Sequence, residues 1–126
     1  MRILAAGTVA VAFVVAACFS EHESATAPAT GRCNLPLTDD VAGSTVVAIR
    51  NFAFQPLELR IHAGEKVTWV NCEDTPQSHT STADAGAWES PVLAQGQAFS
   101  RTFDQVGTFP YHCAIHPTML ANVIVE

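Results

Sequence analysis

Three potential metal ligands lie at three-residue steps near the carboxyl end of the chain: Cys113, His116 and Met119. They supply a thiolate, an imidazole and a thioether. Together with a second imidazole, these are the ligands of a trigonal site that holds one copper ion, with a cysteine, two histidines and a weakly bound axial methionine. His79 can supply the second imidazole, because it follows an apolar strand-like run (66–70) through a polar turn segment.

Two simpler interpretations compete with a copper site. Cys113 could be a buried free thiol and Met119 an ordinary core residue, since both residue types are common in cores. A zinc site would use cysteine, histidine and carboxylate ligands, so the methionine argues against zinc. A methionine in step with the cysteine and the histidine therefore favours copper, which accepts thiolate, imidazole and thioether ligands in its two oxidation states.

The strand that leads into this loop predicts where its side chains point. Phe109, Tyr111 and Cys113 occupy alternate positions, so they face the same side of a strand. That side is apolar, which places Cys113 in the interior. His112 then faces outward and is not expected to be a ligand. His22 and His62 are likewise expected to be solvated side chains.

The elements that must position these residues are strands. Residues 44–50 are rich in β-branched side chains, residues 57–62 alternate between apolar and polar types, and further strands are predicted at 98–103, 108–113 and 122–126. Glycine, proline and asparagine separate the runs. No sustained helical period follows Gly31. The sequence therefore predicts an all-β domain, a β-sandwich or barrel.

The first residues have the pattern of an export signal. Residues 3–17 form an apolar run that is too short for a lasting membrane helix, so we interpret 1–17 as a signal peptide. Cys18 follows small residues, as in the lipobox of bacterial lipoproteins, in which this cysteine is acylated. Plain secretion with a chance cysteine is the alternative. We expect a periplasmic or cell-surface lipoprotein of a bacterial membrane.

Residues 18–31 are expected to be a short disordered tether. From Ser20 to Gly31 there is no large apolar side chain that could offset the entropy of ordering the segment. The folded domain is then 32–126, which is long enough for one small core and leaves no room for a second domain.

Charge limits the range of partners. The formal charge is −6, and removal of the signal peptide leaves five basic and twelve acidic side chains, a charge of −7. Lys66 is the only lysine, and there is no basic run that could bind phosphate groups. Nucleic acid is therefore not an expected partner.

The four cysteines have separate expected roles. If Cys18 carries lipid and Cys113 binds metal, Cys33 and Cys72 remain in an oxidising compartment, where a disulfide is the usual fate of such a pair. Two separately buried thiols are the alternative.

Residues 107–119 resemble the copper loop of the cupredoxins, particularly the plastocyanin and amicyanin branch. The likeness includes 63–71 and 96–103, and it extends over most of 46–126. It implies a Greek-key β-sandwich, the cupredoxin-like barrel, with one type 1 copper ion. Carried over by position, the ligands are His79, Cys113, His116 and the long axial Met119.

Two positions depart from the family pattern. Thr80 stands where relatives often have an asparagine that braces the two ligand segments, so we expect a shorter hydroxyl to make that bond. Ile115 stands where close relatives commonly have proline. Its N–H is a potential donor to the Cys113 sulfur, and such a bond would stabilise the reduced site.

The resemblance implies a function in electron transfer, without substrate chemistry of the protein's own. Expected partners are redox proteins such as a c-type cytochrome or a dehydrogenase, and the protein is expected to be a monomer. A copper carrier, a subunit of a copper oxidoreductase and a purely structural lipoprotein are the alternatives.

A docking face is expected around the first ligand loop. It is bracketed by four acids, which form either a solvated face or a rim that steers a basic partner: Glu73, Asp74, Asp84 and Glu89. An apolar patch is expected around the edge of His116, formed by Pro76, Ala114, Ile115 and Pro117.

Overall fold

A computed structural model of the chain describes Cys33 and residues 43–126. The proposed signal peptide, Cys18 and the tether lie outside these residues. The described part contains eight strands: β1 (Thr45–Arg50), β2 (Ala53–Gln55), β3 (Glu58–Ile61), β4 (Glu65–Asn71), β5 (Thr82–Ala83), β6 (Ala98–Phe103), β7 (Gly107–His112) and β8 (Leu120–Val125). Among the described residues there is no helix of the length and apolar character needed to cross a membrane.

The strands form two four-stranded sheets. One has the order β2-β1-β4-β6 and the other β3-β8-β7-β5. β1 pairs with β4, and β3 with β8, in parallel, while the remaining pairs are antiparallel. From β2 onward to β7 each successive strand lies in the other sheet, so strands distant in sequence become neighbours. This arrangement confirms the predicted all-β Greek-key sandwich.

The core lies between the sheets and follows the alternation of the strands. On β4, Val67 and Trp69 are fully buried. The Trp69 ring contacts Tyr111 of β7 in the opposite sheet and Phe103 of β6 in its own sheet. Cys113 and Met119 belong to the same buried cluster. The sulfur-bearing residues are therefore part of the core, at the end where β7 stops and β8 begins, and the packing of the sandwich fixes where they lie.

Two short strands were not predicted, and one of them matters for the site. β5 pairs Thr82 with His112 and Ala83 with Tyr111. This pairing holds the segment after His79 along the end of β7. Two paired residues in a polar stretch carry no period of their own, so the sequence pattern could not reveal this strand.

A second, smaller cluster joins the amino-terminal part of the domain to the first sheet. Ala48, Val70 and Cys72 are buried there, with Cys33 packed against them. Cys33 and Cys72 are bonded through their sulfur atoms in the structure, 39 residues apart in sequence. This is the pair that remains when Cys18 is assigned to lipid and Cys113 to the metal. Cys72 directly follows β4, at the start of the loop that carries His79.

Candidate metal centre

Two loops at the same end of the sandwich carry the candidate ligands. The first follows β4 and the second joins β7 to β8. His79 is fixed by two backbone hydrogen bonds with Leu93, of 3.0 and 2.8 Å. In the second loop the N–H of Cys113 donates to the carbonyl of Met119 at 3.1 Å. The N–H of Met119 donates to the carbonyl of His116 at 2.9 Å. Both loops are therefore anchored by main-chain bonds on either side of the site.

Three side chains converge in the described part of the chain. Sγ of Cys113 lies 3.8 Å from Nδ1 of His79 and 3.8 Å from Nδ1 of His116, and the two nitrogens are 3.2 Å apart. His79 and Cys113 are fully buried, whereas His116 is half-buried. Atoms with these separations can share one ion at about 2.0 Å from nitrogen and about 2.3 Å from sulfur, so the donor set fits a metal ion.

Met119 completes the ligand set predicted from the sequence. It is buried and lies in the same cluster as Cys113, and its main chain is bonded to both Cys113 and His116. Burial keeps its thioether away from solvent, at the core side of the loop. Its role as the axial ligand stays a prediction.

Thr80 connects the two ligand loops. Its backbone N–H donates to Sγ of Cys113 at 3.3 Å, and its hydroxyl oxygen accepts the N–H of Ala114 at 2.8 Å. The hydroxyl also lies 3.1 Å from that of Thr82 on β5. The shorter side chain thus makes the kind of link expected from the asparagine of the family pattern.

The expected hydrogen bond from Ile115 to the Cys113 sulfur is not found among the described residues, and this expectation is corrected. The backbone donor to that sulfur is Thr80. The Ile115 side chain points to solvent instead and is 45% exposed. The β5–β7 pairing, which begins two residues after Thr80, holds this segment beside the end of β7.

Glu73 is not part of an exposed acidic rim, which corrects the prediction for this residue. It is only 4% exposed, and its carboxylate Oε1 lies 3.0 Å from Nε2 of His79. The same carboxylate accepts the N–H groups of Asn51 at 2.9 Å and Phe52 at 2.8 Å. A buried carboxylate needs such partners. The other three acids remain exposed, with Asp74 paired to Arg50 and Asp84 to His112.

Burial and Glu73 act on His79 in opposite directions. Burial lowers the pKa of His79, and the hydrogen bond and charge of Glu73 partly offset that effect. The neutral imidazole is the form that binds metal. With Nε2 directed at Glu73, Nδ1 faces the site, and this orientation is typical of a metal-bound histidine with a carboxylate behind it.

The remaining histidines do not add to the site. His112 is directed away from it and lies 2.6 Å from a carboxylate oxygen of Asp84, while His62 is exposed. Across Cys33 and residues 43–126, only His79, Cys113 and His116 form a group of three or more such side chains close enough to share an ion.

The match to a protein family decides which metal is involved. Residues 41–126 match the family of copper binding proteins of the plastocyanin/azurin type. The chain is a cupredoxin. Copper is therefore its cofactor, and His79, Cys113 and His116 form the candidate copper site.

Relatives place this cupredoxin near the amicyanins. It is 32% identical over 121 residues to amicyanin of Paracoccus denitrificans, spanning 89% of this chain and 92% of the relative. It is 41% identical over 88 residues to amicyanin-alpha of Methylorubrum extorquens, spanning 68% and 74% of the two chains. A plastocyanin of Scenedesmus fuscus is 35% identical over 72 residues, spanning 50% and 74%.

Solved structures agree with this placement. A reduced Cu(I) form of an amicyanin variant superimposes with a TM-score of 0.65 at 31% identity, covering 73% of this cupredoxin and 90% of the amicyanin chain. An oxidised amicyanin variant gives the same TM-score and coverage. The shared fold thus accommodates both states of the copper protein amicyanin.

Proposed function

We propose that this cupredoxin carries single electrons between redox proteins. The main support is the convergence of a buried cysteine sulfur and two imidazoles on one point, on loops fixed by main-chain hydrogen bonds. When bound, copper supplies the chemistry by alternating between its cuprous and cupric states. A site whose ligands are already held in place rearranges little when the charge changes, which favours rapid electron transfer.

The residues of the chain hold the site and do no substrate chemistry. His79, Cys113 and His116 would hold the ion, and Met119 would be its fourth, more weakly bound ligand. Glu73 orients His79 through Nε2, and Thr80 joins the two loops and donates to the sulfur. Each contact fixes a ligand, and none positions an acid, a base or a nucleophile toward a substrate. The protein therefore acts as a carrier and not as an enzyme.

Electrons enter and leave at the partly exposed edge of His116. The four residues of the expected apolar patch, Pro76, Ala114, Ile115 and Pro117, are all exposed. Glu73 is buried and Asp74 is paired to Arg50, so Asp84 and Glu89 are the acids of this set that remain exposed without an arginine or lysine partner in the described part of the chain. The apolar patch is the proposed contact with a redox protein such as a c-type cytochrome or a dehydrogenase.

The protein works at a membrane surface as an exported, monomeric lipoprotein. This proposal rests on the sequence of 1–17, on Cys18 as the acylated residue and on the tether 18–31, with the copper-binding domain at 32–126. The location is the periplasm or the cell surface of a bacterium. A short tether would keep the domain near membrane-associated partners and leave it free to turn.

A copper carrier is the alternative function for the same ligands. Delivery of copper requires ligands that a recipient can reach, whereas Cys113 is fully buried and anchored at both ends of its loop. Slow loss of copper to a chelator is expected for the electron carrier, and rapid loss for a delivery protein.

The decisive experiment is titration of the purified domain with copper(II). An intense visible absorption from the thiolate-to-copper transition is expected at one ion per chain, together with reversible reduction. The variant Cys113→Ser is the control and should stay colourless. A wild-type protein that remains colourless with copper would overturn the proposal.

A further inference from the structure

The ring of Phe52 contacts both ligand histidines. Its centroid lies 5.5 Å from that of His79, with an interplanar angle of 82°, and 5.0 Å from that of His116, at 83°. These are edge-to-face arrangements, which are favourable between aromatic rings. Phe52 remains 49% exposed. An apolar ring thus stays half in solvent while it touches one residue from each ligand loop.

The backbone that holds this ring is strained. Asn51 and Phe52 have φ values of 52° and 55°, the left-handed region that residues with a side chain rarely adopt. Such a conformation persists when the surroundings enforce it. Here the consecutive N–H groups of the two residues donate to the carboxylate of Glu73, and consecutive N–H groups of this kind form a concave anion site.

The same carboxylate connects this strained turn to the copper site. Oε1 of Glu73 both accepts the N–H of Phe52 and contacts Nε2 of His79. The orientation of His79 and the position of the Phe52 ring are therefore set by one group. The Phe52 ring also contacts His116, so the same turn restrains the second imidazole. The two histidines are 37 residues apart in sequence.

Thr80 and Phe52 restrain the ligand loops in different ways. Thr80 joins them through hydrogen bonds to the backbone of Ala114 and to the sulfur of Cys113. It has no contact of this kind with His116. Phe52 contacts the imidazoles themselves, and His116 is the one ligand of the three that is only half-buried. The orientation of the His116 imidazole therefore depends more on an additional contact than that of the buried His79 does.

We propose that Phe52 is a positioning residue for the copper site, whose ring, held by Glu73, restrains the imidazoles of His79 and His116. The inference rests on the proposed copper site and deepens it. Restraint of both rings keeps the ligands in one arrangement while the charge on the ion changes, and it slows the first step of copper loss, in which an imidazole turns away.

Three variants separate the ring from the backbone that carries it. Phe52→Gly removes the ring and favours the left-handed backbone, so the contacts with Glu73 are retained. Phe52→Tyr keeps an aromatic ring and should restore wild-type behaviour. Val106→Ala is the matched control, because Val106 is an exposed apolar residue before β7, at the end of that strand remote from Cys113.

Two readouts test the proposal. In the apoprotein, NMR relaxation should show that the imidazole rings of His79 and His116 become more mobile in Phe52→Gly and not in Val106→Ala. In the copper-loaded protein, transfer of copper(I) to a strong chelator should become about tenfold faster in Phe52→Gly, the size expected for two lost aromatic contacts. The copper(II) electron paramagnetic resonance spectrum should broaden in the same variant, and Phe52→Tyr should match wild type in every measurement.

Unchanged mobility of the two imidazole rings in Phe52→Gly, or equal chelator rates in the glycine variant and wild type, would overturn the inference. An equal acceleration in Phe52→Tyr would also overturn it, because the aromatic ring would then not be the cause. Failure of the proposed function is distinct from these outcomes, because it appears as a wild-type protein without copper absorption before any variant is compared.

Discussion

The carboxylate of Glu73 lies 3.0 Å from Nε2 of His79, while Nδ1 of the same ring lies 3.8 Å from the sulfur of Cys113. The two ring nitrogens of His79 therefore have different roles. Nε2–H donates to the carboxylate, and Nδ1 is left with its lone pair directed into the site. A buried acid in this position selects the tautomer and the ring orientation that copper requires.

Loss of the Glu73 charge should weaken copper binding and raise the reduction potential. In Glu73→Gln the imidazole of His79 becomes less basic, which disfavours copper(II) more than copper(I). We expect a decrease in copper(II) affinity of about 10–100-fold, the usual effect of removing such a carboxylate. Competition with a chelator and voltammetry measure the two quantities. Glu89→Gln, an exposed acid in the same loop, is the control, and equal affinities in both variants would contradict the assignment.

The hydroxyl of Thr80 should contribute to the stability of the apoprotein. Thr80→Val keeps the shape of the side chain but leaves the N–H of Ala114 without its acceptor. A loss of about 1 kcal/mol in the free energy of unfolding is expected in denaturant titrations. Thr80→Ser retains the hydroxyl and should lie close to wild type. Both variants keep the backbone N–H that donates to the Cys113 sulfur, so both should bind copper. Identical unfolding free energies in the two variants would show that the hydrogen bond to Ala114 contributes nothing to stability.

Thiol counting tests the bond between Cys33 and Cys72. A chain from residue 19 onward, unfolded without reductant, should expose one reactive thiol, that of Cys113, and three after reduction. The double variant Cys33→Ser/Cys72→Ser should lose about 2–4 kcal/mol of unfolding free energy, because the bond closes a long loop. Three thiols before reduction would mean that the bond does not form.

Membrane attachment should depend on Cys18 alone among the four cysteines. When the full chain is expressed in a bacterium with lipoprotein processing, the wild type should fractionate with membranes and carry acyl chains detectable by mass spectrometry. Cys18→Ser should appear in the soluble exported fraction. Cys33→Ser, which also removes one cysteine near the amino terminus, should remain with the membrane. A wild-type protein free of lipid would favour plain secretion.

Much of the fold, and the presence of three potential ligands on one loop, could be predicted from local pattern. Alternation in β7 is visible in the sequence, and it placed Cys113 inside and His112 outside. The spacing of Cys113, His116 and Met119 is itself a local signal, since all three lie on one loop. Sequence spacing is sufficient to predict neighbouring ligands where the chain forms a tight loop of a few residues.

The surroundings of the site depend on contacts that no local pattern carries. Glu73 has the composition of a surface acid between Cys72 and Asp74, and its burial follows from a left-handed turn 21 residues earlier. The role of Phe52 depends on the same turn, which contains no glycine to signal it. The Thr80 N–H donor to the Cys113 sulfur depends on the segment before β5, a two-residue strand that has no sequence period of its own.

The backbone bond between Cys113 and Met119 extends the β7–β8 ladder up to the ligand loop and fixes both of its ends. The residues between these ends other than the ligand His116 can therefore change in type or number without disturbing the strands below. A lineage of such proteins could adjust copper affinity or partner choice by exchanging this short loop alone, while the sandwich that carries it stays the same.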